Sequence, residues 1–155
     1  MINYRYSLCY MKPDCIYYLQ VPFLTASISE SYIGHNHWLI NKFFANLKHG
    51  TRGYSFAVDD YHLAGCSLLK NEEDERKICC LFIDPNYRRQ GIASHLIEDS
   101  FRLLNTDKPL MTVSEQNLAQ LQPLIKRYNF ELTSVRKSVY KQGVNEYFYN
   151  EGLAR

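Results

Sequence analysis

The sequence predicts an α+β fold with a central mixed sheet, mostly antiparallel, that contains one parallel βαβ pair. Three observations predict it. Apolar runs over residues 54–83 are broken twice by polar turns, as an antiparallel meander requires. A strand, an amphipathic helix and a second strand then follow within about 35 residues, the length of a crossover unit. A last pair of β-rich segments flanks Gln142-Gly143. With 155 residues, 46% of them hydrophobic and 22% charged, the chain is sized for one domain and one substantial core, taken as 1–155.

Residues 4–24 are rich in Tyr and β-branched side chains but are interrupted by Pro13 and Pro22, so at least one strand is expected there. Trp38, Ile40, Phe43, Phe44 and Leu47 recur at helical spacing, and Gly50 is a plausible stop. The strands of the meander are Tyr54–Val58, Leu63–Leu69 and Ile78–Ile83, joined by an Asp59-Asp60 turn and by the solvated charge run Lys70–Lys77. From Arg89 to Leu104, Ile92/Ala93, Leu96/Ile97, Phe101 and Leu104 form one apolar stripe, and Gln90, Ser94, His95, Glu98, Asp99 and Arg102 take the other face. Pro109 resets the chain before a buried strand, Leu110–Ser114, which a right-handed crossover makes parallel to Ile78–Ile83. A shorter helix starts near Pro123 as its first position and ends at Tyr128-Asn129. Phe130–Val139 and Glu146–Tyr149 close the chain as an antiparallel pair.

Composition excludes several classes. The longest apolar stretch, Ile78–Ile83, is far short of a membrane span, and the first residues lack a secretory pattern, so a cytoplasmic protein is expected. A formal charge of +2 lacks the basic excess of phosphate-backbone binders, so no nucleic-acid partner is expected. The five cysteines have no C-x-x-C spacing and read as reduced thiols; His35 and His37 would not share a helix face. No metal site is expected.

Chemistry converges on the turn Asp84-Pro85-Asn86-Tyr87-Arg88-Arg89-Gln90-Gly91-Ile92-Ala93, between a parallel strand and its crossover helix. Unpaired N–H groups at a helix N-terminus attract anions, and open α/β sheets bind ligands outside the carboxyl ends of their strands. Gly91 lets an anion approach the backbone, Ala93 keeps the next turn slim, and Arg88 and Arg89 add charge that can pair bidentately, so the loop suits a diphosphate. The Walker-type and dinucleotide-type glycine patterns are absent, although Glu115 sits about where a ribose-binding acid would.

Ile83 to Ile97 of this sequence resembles motif A of the GNAT superfamily of N-acetyltransferases, with Arg88-Arg89-Gln90-Gly91-Ile92-Ala93 matching its Q/R-x-x-G-x-G/A core. The resemblance implies acetyl-CoA as co-substrate, with its pyrophosphate on the backbone amides of Arg89, Gln90, Gly91, Ile92, Ala93 and Ser94 and further contacts from Arg88. It implies that the pantetheine arm pairs with the backbone near Leu81 and Ile83, where the strand splays from its parallel neighbour, and that an N–H there polarises the acetyl carbonyl. The implied activity is direct acetyl transfer to a primary amine of a small molecule or peptide. A non-catalytic acyl-CoA sensor is the alternative, and a homodimer is compatible with the family.

The family's following motif, N-x-x-A-x-x-L-Y-x-x-x-G-F, is altered. Ile125 stands at the position of the Tyr that protonates the leaving thiolate, and Asn129-Phe130 replaces Gly-Phe. Asn117, one residue out of register with the motif's Asn, is kept as a cofactor-binding candidate. Tyr128, three residues beyond Ile125, is the substitute candidate for the acid, against a plainer role in the Leu121/Ile125 core stripe. Cys79 and Cys80 lie on the cofactor strand; buried inert thiols are the expected reading, against a cysteine-linked intermediate as the alternative.

Overall fold

The computed structural model describes residues 1–154. Seven strands form one sheet in the order β1-β2-β3-β4-β5-β7-β6: β1 (Ile2–Ser7), β2 (Arg52–Asp59), β3 (His62–Asn71), β4 (Arg76–Ile83), β5 (Leu110–Ser114), β6 (Leu132–Lys137) and β7 (Asn145–Tyr149). All neighbours pair antiparallel except β4 and β5, which run parallel. The predicted fold class, meander and crossover are therefore present. The closing pair is present too, with β7 inserted between β5 and β6.

Side-chain size along the meander decides which layer covers each face. In β2 and β3 the large residues Tyr54, Phe56, Val58, Leu63, Cys66 and Leu68 point to one face. There they bury against α1 (Cys15–Tyr18), α2 (Val21–Leu24) and the helical segment formed by α3 (His35–Trp38) and α4 (Ala45–Leu47). Ser55, Ala57, Gly65 and Ser67 alternate with them and are buried on the other face. These short side chains let α5 (Ile92–Leu104) approach the sheet closely. Ser55 donates to Asp99 at 2.8 Å, and the Ser67 and Ser100 hydroxyls pair at 2.8 Å, so polar bonds pin the helix where apolar bulk is missing. Beside α5, α6 (Leu118–Arg127) packs Ile125 with Leu104, Met111, Val113, Phe130 and Tyr149.

Four local expectations are corrected. Between α3 and α4 the chain is a π-helix, Leu39–Phe44, whose wider turn aligns Leu39, Phe43 and Leu47 inward; Ile40, expected in the stripe, is 60% exposed. Helix α5 begins at Ile92 instead of Arg89, because Arg89 (φ 63°) and Gly91 (φ 79°) both take the left-handed conformation. Asp99 does not face solvent: it is 1% exposed, accepting bonds from Ser55 and Arg102. His95, on the same expected polar face, stacks on Tyr4 with ring centroids 3.4 Å apart. Helix α6 starts at Leu118, so Pro123 lies inside it; Pro123 and Ala119 are exposed, and water can satisfy the carbonyl that the proline leaves without a donor. Asn129 then does the work of the missing glycine at φ 55°, and the Phe130 N–H bonds the Ile125 carbonyl at 3.0 Å.

The close approach of α5 is testable at Gly65. A Cβ there would stand 2.9 Å from Ile83 Cδ1 and 3.3 Å from both Ile92 Cγ2 and the Phe82 carbonyl oxygen. Gly65→Val should lower stability by about 1–3 kcal/mol through overpacking, read as a shifted midpoint in urea denaturation, with Gly65→Ala costing less.

Candidate active site

The pairing of β4 with β5 lasts only two residues, Lys77 with Leu110 and Ile78 with Met111. At that point β4 carries a bulge. Leu68 pairs with Cys80 and Leu69 with Ile78, which leaves Cys79 without a partner on β3. A bulge bends its strand and increases local twist, and beyond it β4 leaves β5 while staying on β3. The expected splay is therefore present, beginning at Cys79.

Alternation then determines which backbone groups are open. The Asp84 N–H bonds the Ala64 carbonyl at 2.8 Å, so Phe82, two residues earlier, also faces β3, and Leu81 and Ile83 turn their N–H and C=O groups toward the gap. The Ile83 carbonyl accepts the Arg88 Nε at 3.1 Å; its N–H and both backbone groups of Leu81 point into the opening.

The loop that follows is braced from below. Asp84 Oδ1 accepts the Asn86 N–H at 2.9 Å, capping a 3₁₀ turn over Pro85–Tyr87, and its Oδ2 lies 3.0 Å from His62 Nε2. Burial alone would raise Asp84, but the Asn86 N–H, His62 and Arg88 together hold its carboxyl below the usual range. The Tyr87 hydroxyl donates to Asp59 at 2.9 Å, and the Tyr87 ring stacks on His62. The guanidinium of Arg88 sits over the Phe82 ring at 5.5 Å. These contacts leave Arg89, Gln90 and Gly91 exposed at the tip.

Helix α5 starts from that tip without a side-chain cap. Its first internal bond is His95 N–H to the Gly91 carbonyl at 3.2 Å, so the N–H groups of Ile92, Ala93 and Ser94 have no partner within the helix. A Cβ on Gly91 would meet nothing within 4 Å. The residue is needed for its left-handed φ, and the space in front of it is open. The structure thus brings together at one mouth the strand end at Leu81 and Ile83 and the loop from Arg88 to Ser94. Asn117 caps α6 without a side-chain bond, at the end of a 3₁₀ turn that follows β5.

Tyr128 stands at the end of α6, and its hydroxyl donates to Glu98 at 2.8 Å and lies 3.3 Å from the Ser94 carbonyl. Burial raises its phenol above the ordinary value. Ile125 is a core residue, 4% exposed. Burial pushes the Cys79 thiol up to about 11, and contact with Cys66 together with burial pushes Cys80 well above its usual value, so neither forms a ready nucleophile. His35 is buried with Nε2 2.9 Å from the Thr25 hydroxyl, and His37 bonds Asn41. Among the described residues no group of three His, Cys, Asp or Glu side chains is arranged to hold a metal ion, and no helix is long and apolar enough to cross a membrane.

Two residues of this region escaped sequence reasoning. The Tyr32 hydroxyl accepts the Ser114 N–H at 3.1 Å and donates to Glu146 at 2.8 Å. Glu146 is 3% exposed, and burial raises its carboxyl although bonds from Tyr32 and Thr112 and the Lys77 charge oppose the shift. An acid alternating with Phe148 on a buried strand was the available signal for Glu146; Tyr32 lies in an aperiodic stretch that offers none.

Comparisons with known proteins agree with this geometry. The family model of the acetyltransferase (GNAT) domain matches residues 40–146, from the π-helix to β7. No curated protein matches the chain. Among solved structures, an acetyltransferase of the GNAT family from Streptococcus pneumoniae superposes with a TM-score of 0.69 at 15% identity, over 96% of this chain and 98% of that one. An N-acetyltransferase from Staphylococcus aureus Mu50 gives 0.66 at 15% identity, over 95% and 96%. A GNAT family acetyltransferase from Elizabethkingia anophelis with acetyl-CoA bound gives 0.64 at 15% identity, over 96% and 95%. At such identities the structural likeness is one of fold, whereas the family model matches most of this sequence and includes the splayed strand, the arginine loop and α5. The chain belongs to the GNAT acetyltransferase family.

Proposed function

We propose that this acetyltransferase takes its acetyl group from acetyl-CoA and passes it directly to a primary amine on a small molecule or peptide. The observation that carries the reading is the uncapped start of α5 beside the open edge of β4, with free space in front of Gly91. These residues fit the group. The N–H groups of Ile92, Ala93 and Ser94 offer a diphosphate its donors, the left-handed Arg89 and Gly91 turn the loop around it, and Arg88 and Arg89 add charge. Leu81 and Ile83 offer strand-like pairing to an extended amide chain, and Asn117, at the start of α6 with no side-chain cap bond, is kept as a further cofactor contact.

When bound, acetyl-CoA supplies a thioester carbonyl open to attack by an amine. The chain contributes position and electrostatics. An N–H at Leu81 or Ile83, fixed by the β3–β4 ladder, donates to the carbonyl oxygen as negative charge grows on it. Tyr128 ties Ser94 and Glu98 to the end of α6 and so steadies the first turn of α5.

Gly91→Glu should abolish acetyl-CoA binding in calorimetry while the circular dichroism spectrum stays that of the native chain; unchanged affinity in that folded variant would remove the loop from the site. Arg89→Ala should weaken binding about 10- to 100-fold, the span expected for a charge-assisted contact of about 1.5–3 kcal/mol.

Tyr128→Phe, which removes a solvent-exposed hydrogen bond to the Glu98 carboxylate, should raise the KM for acetyl-CoA by about two- to tenfold, a loss of about 0.5–1.5 kcal/mol. A fall in kcat alone would instead assign its phenol to proton transfer.

Direct transfer further predicts intersecting double-reciprocal plots and no acetyl-cysteine in mass spectra of acid-quenched enzyme. Parallel lines with a labelled Cys79 or Cys80 would establish a covalent route. Tight binding of acetyl-CoA without thiol release from any amine would favour the sensor reading, which the loss of a Tyr at position 125 motivates.

A further inference from the structure

We propose that Tyr32 is the acid that protonates the departing thiolate, with Glu146 as the positioning residue that holds its phenol in the gap between β4 and β5. The assignment rests on the placement of acetyl-CoA proposed above.

The position of Tyr32 follows from the ladder. Ser114 stands opposite Glu146 on β7, yet its N–H donates to Tyr32, so that N–H points away from β7 and toward the side that β4 has vacated. Extending the parallel register from Ile78 and Met111 by three rises, with the extra residue that the bulge takes up at Cys79, sets Ser114 level with Phe82, between the open backbone groups of Leu81 and Ile83. The Tyr32 oxygen therefore occupies the hydrogen-bonding place that β4 would have filled had the strands stayed together. It faces the stretch of β4 that carries the open backbone groups of Leu81 and Ile83 across the gap, where the thioester is proposed to lie.

The phenol is held from every side. Glu146 accepts the hydrogen bond of its hydroxyl at 2.8 Å, Ser114 donates to its oxygen, and the Tyr140 ring meets its ring edge-on at 5.1 Å. Lys77 Nζ lies 3.4 Å from the Tyr140 hydroxyl, while Arg136, opposite Glu146 on β6, is engaged by Glu151. Burial and the Glu146 carboxylate keep the phenol protonated until the thiolate forms. Tyr32 itself is only partly buried.

The proton count closes on one group. The acceptor nitrogen forms its bond to the acetyl carbon, and the carbon–sulfur bond breaks with its electron pair on sulfur. The phenol turns from Glu146 and gives its proton to that sulfur. The phenolate then takes the proton that the new amide nitrogen releases, and Tyr32 is restored. The family's Tyr at position 125 is replaced here by a buried Ile, and Tyr32 supplies the same proton from the opposite layer of the fold.

The direct test is a crystal structure of the wild-type chain with CoA, in which Tyr32 Oη should lie within about 3.5 Å of the sulfur. A separation beyond about 6 Å, outside hydrogen-bond reach even through a tilted ring, overturns the assignment. In parallel, thiol release is measured with spermidine, a lysyl peptide, an N-terminal glycyl peptide and glucosamine. With any amine that turns over, Tyr32→Phe should lower kcat about 100-fold and leave the KM for acetyl-CoA within about twofold. Glu146→Ala should cost about tenfold in kcat, and Glu146→Gln, which still accepts the phenol's bond, should recover to within about threefold of wild type. A Glu146→Gln variant no better than Glu146→Ala, or an unchanged kcat in Tyr32→Phe, assigns the pair to packing. Failure of the wild-type chain to bind acetyl-CoA in calorimetry overturns the functional reading itself; normal binding with a distant Tyr32 overturns only this inference.

Discussion

The site depends on one departure from regular structure: β4 stays on β3 but leaves β5 after two residue pairs. A continued parallel ladder would have used the backbone groups of Leu81, Ile83 and Ser114 within the sheet, and buried backbone groups must be paired. The bulge at Cys79 turns them instead toward a cleft, where an external chain or side chain becomes their partner. Tyr32 already takes one of them.

A cleft of that kind serves only if the anion site lies at a fixed distance from it, and the sheet's alternation of large and small side chains sets that distance. With Ser55, Ala57, Gly65 and Ser67 beneath it, α5 lies low on the sheet. The buried Asp99 fixes its depth and rotation through Ser55. The helix start and the strand end then diverge from a single turn, which Asp84, His62, Tyr87 and Asp59 brace. The helix's positive end and the open strand edge are held together by this packing.

Much of this was legible in the sequence because it rests on short-range pattern. The meander, the crossover and the strand at Leu110–Ser114 follow from apolar periodicity and punctuation by Pro and Asp. The anion loop follows from a glycine and two arginines at a helix start. What escaped was set by tertiary contact. Asp99 reads as a surface acid until Ser55 is known to lie beneath it, and the wider turn of the π-helix buries Leu39 beside Phe43 where the α period had placed Ile40. Pro123 marked a helix start by local rule, yet an exposed carbonyl behind it made the interior position tolerable. Tyr32 and Glu146 meet across 114 residues of chain, and no local pattern announces such a pair.

The same two-pair junction divides the molecule mechanically. Tyr54, Phe56, Leu39 and Phe43 belong to one core, and Met111, Val113, Ile125 and Tyr149 to another that also takes in Leu69 and Ile78 from β3 and β4. A ladder with so few rungs is a weak seam in a cooperative fold, and sub-global opening follows such seams. Further stitches across its open end come from the segment before α3: Tyr32 to Glu146, Ser31 to Gln116 at 3.1 Å, and the Glu30 carbonyl to Lys141 at 3.1 Å. That short aperiodic stretch therefore acts as a clasp at the open end of a seam whose other end is closed by the shared packing of Leu69 and Ile78, and its amide protons report the opening.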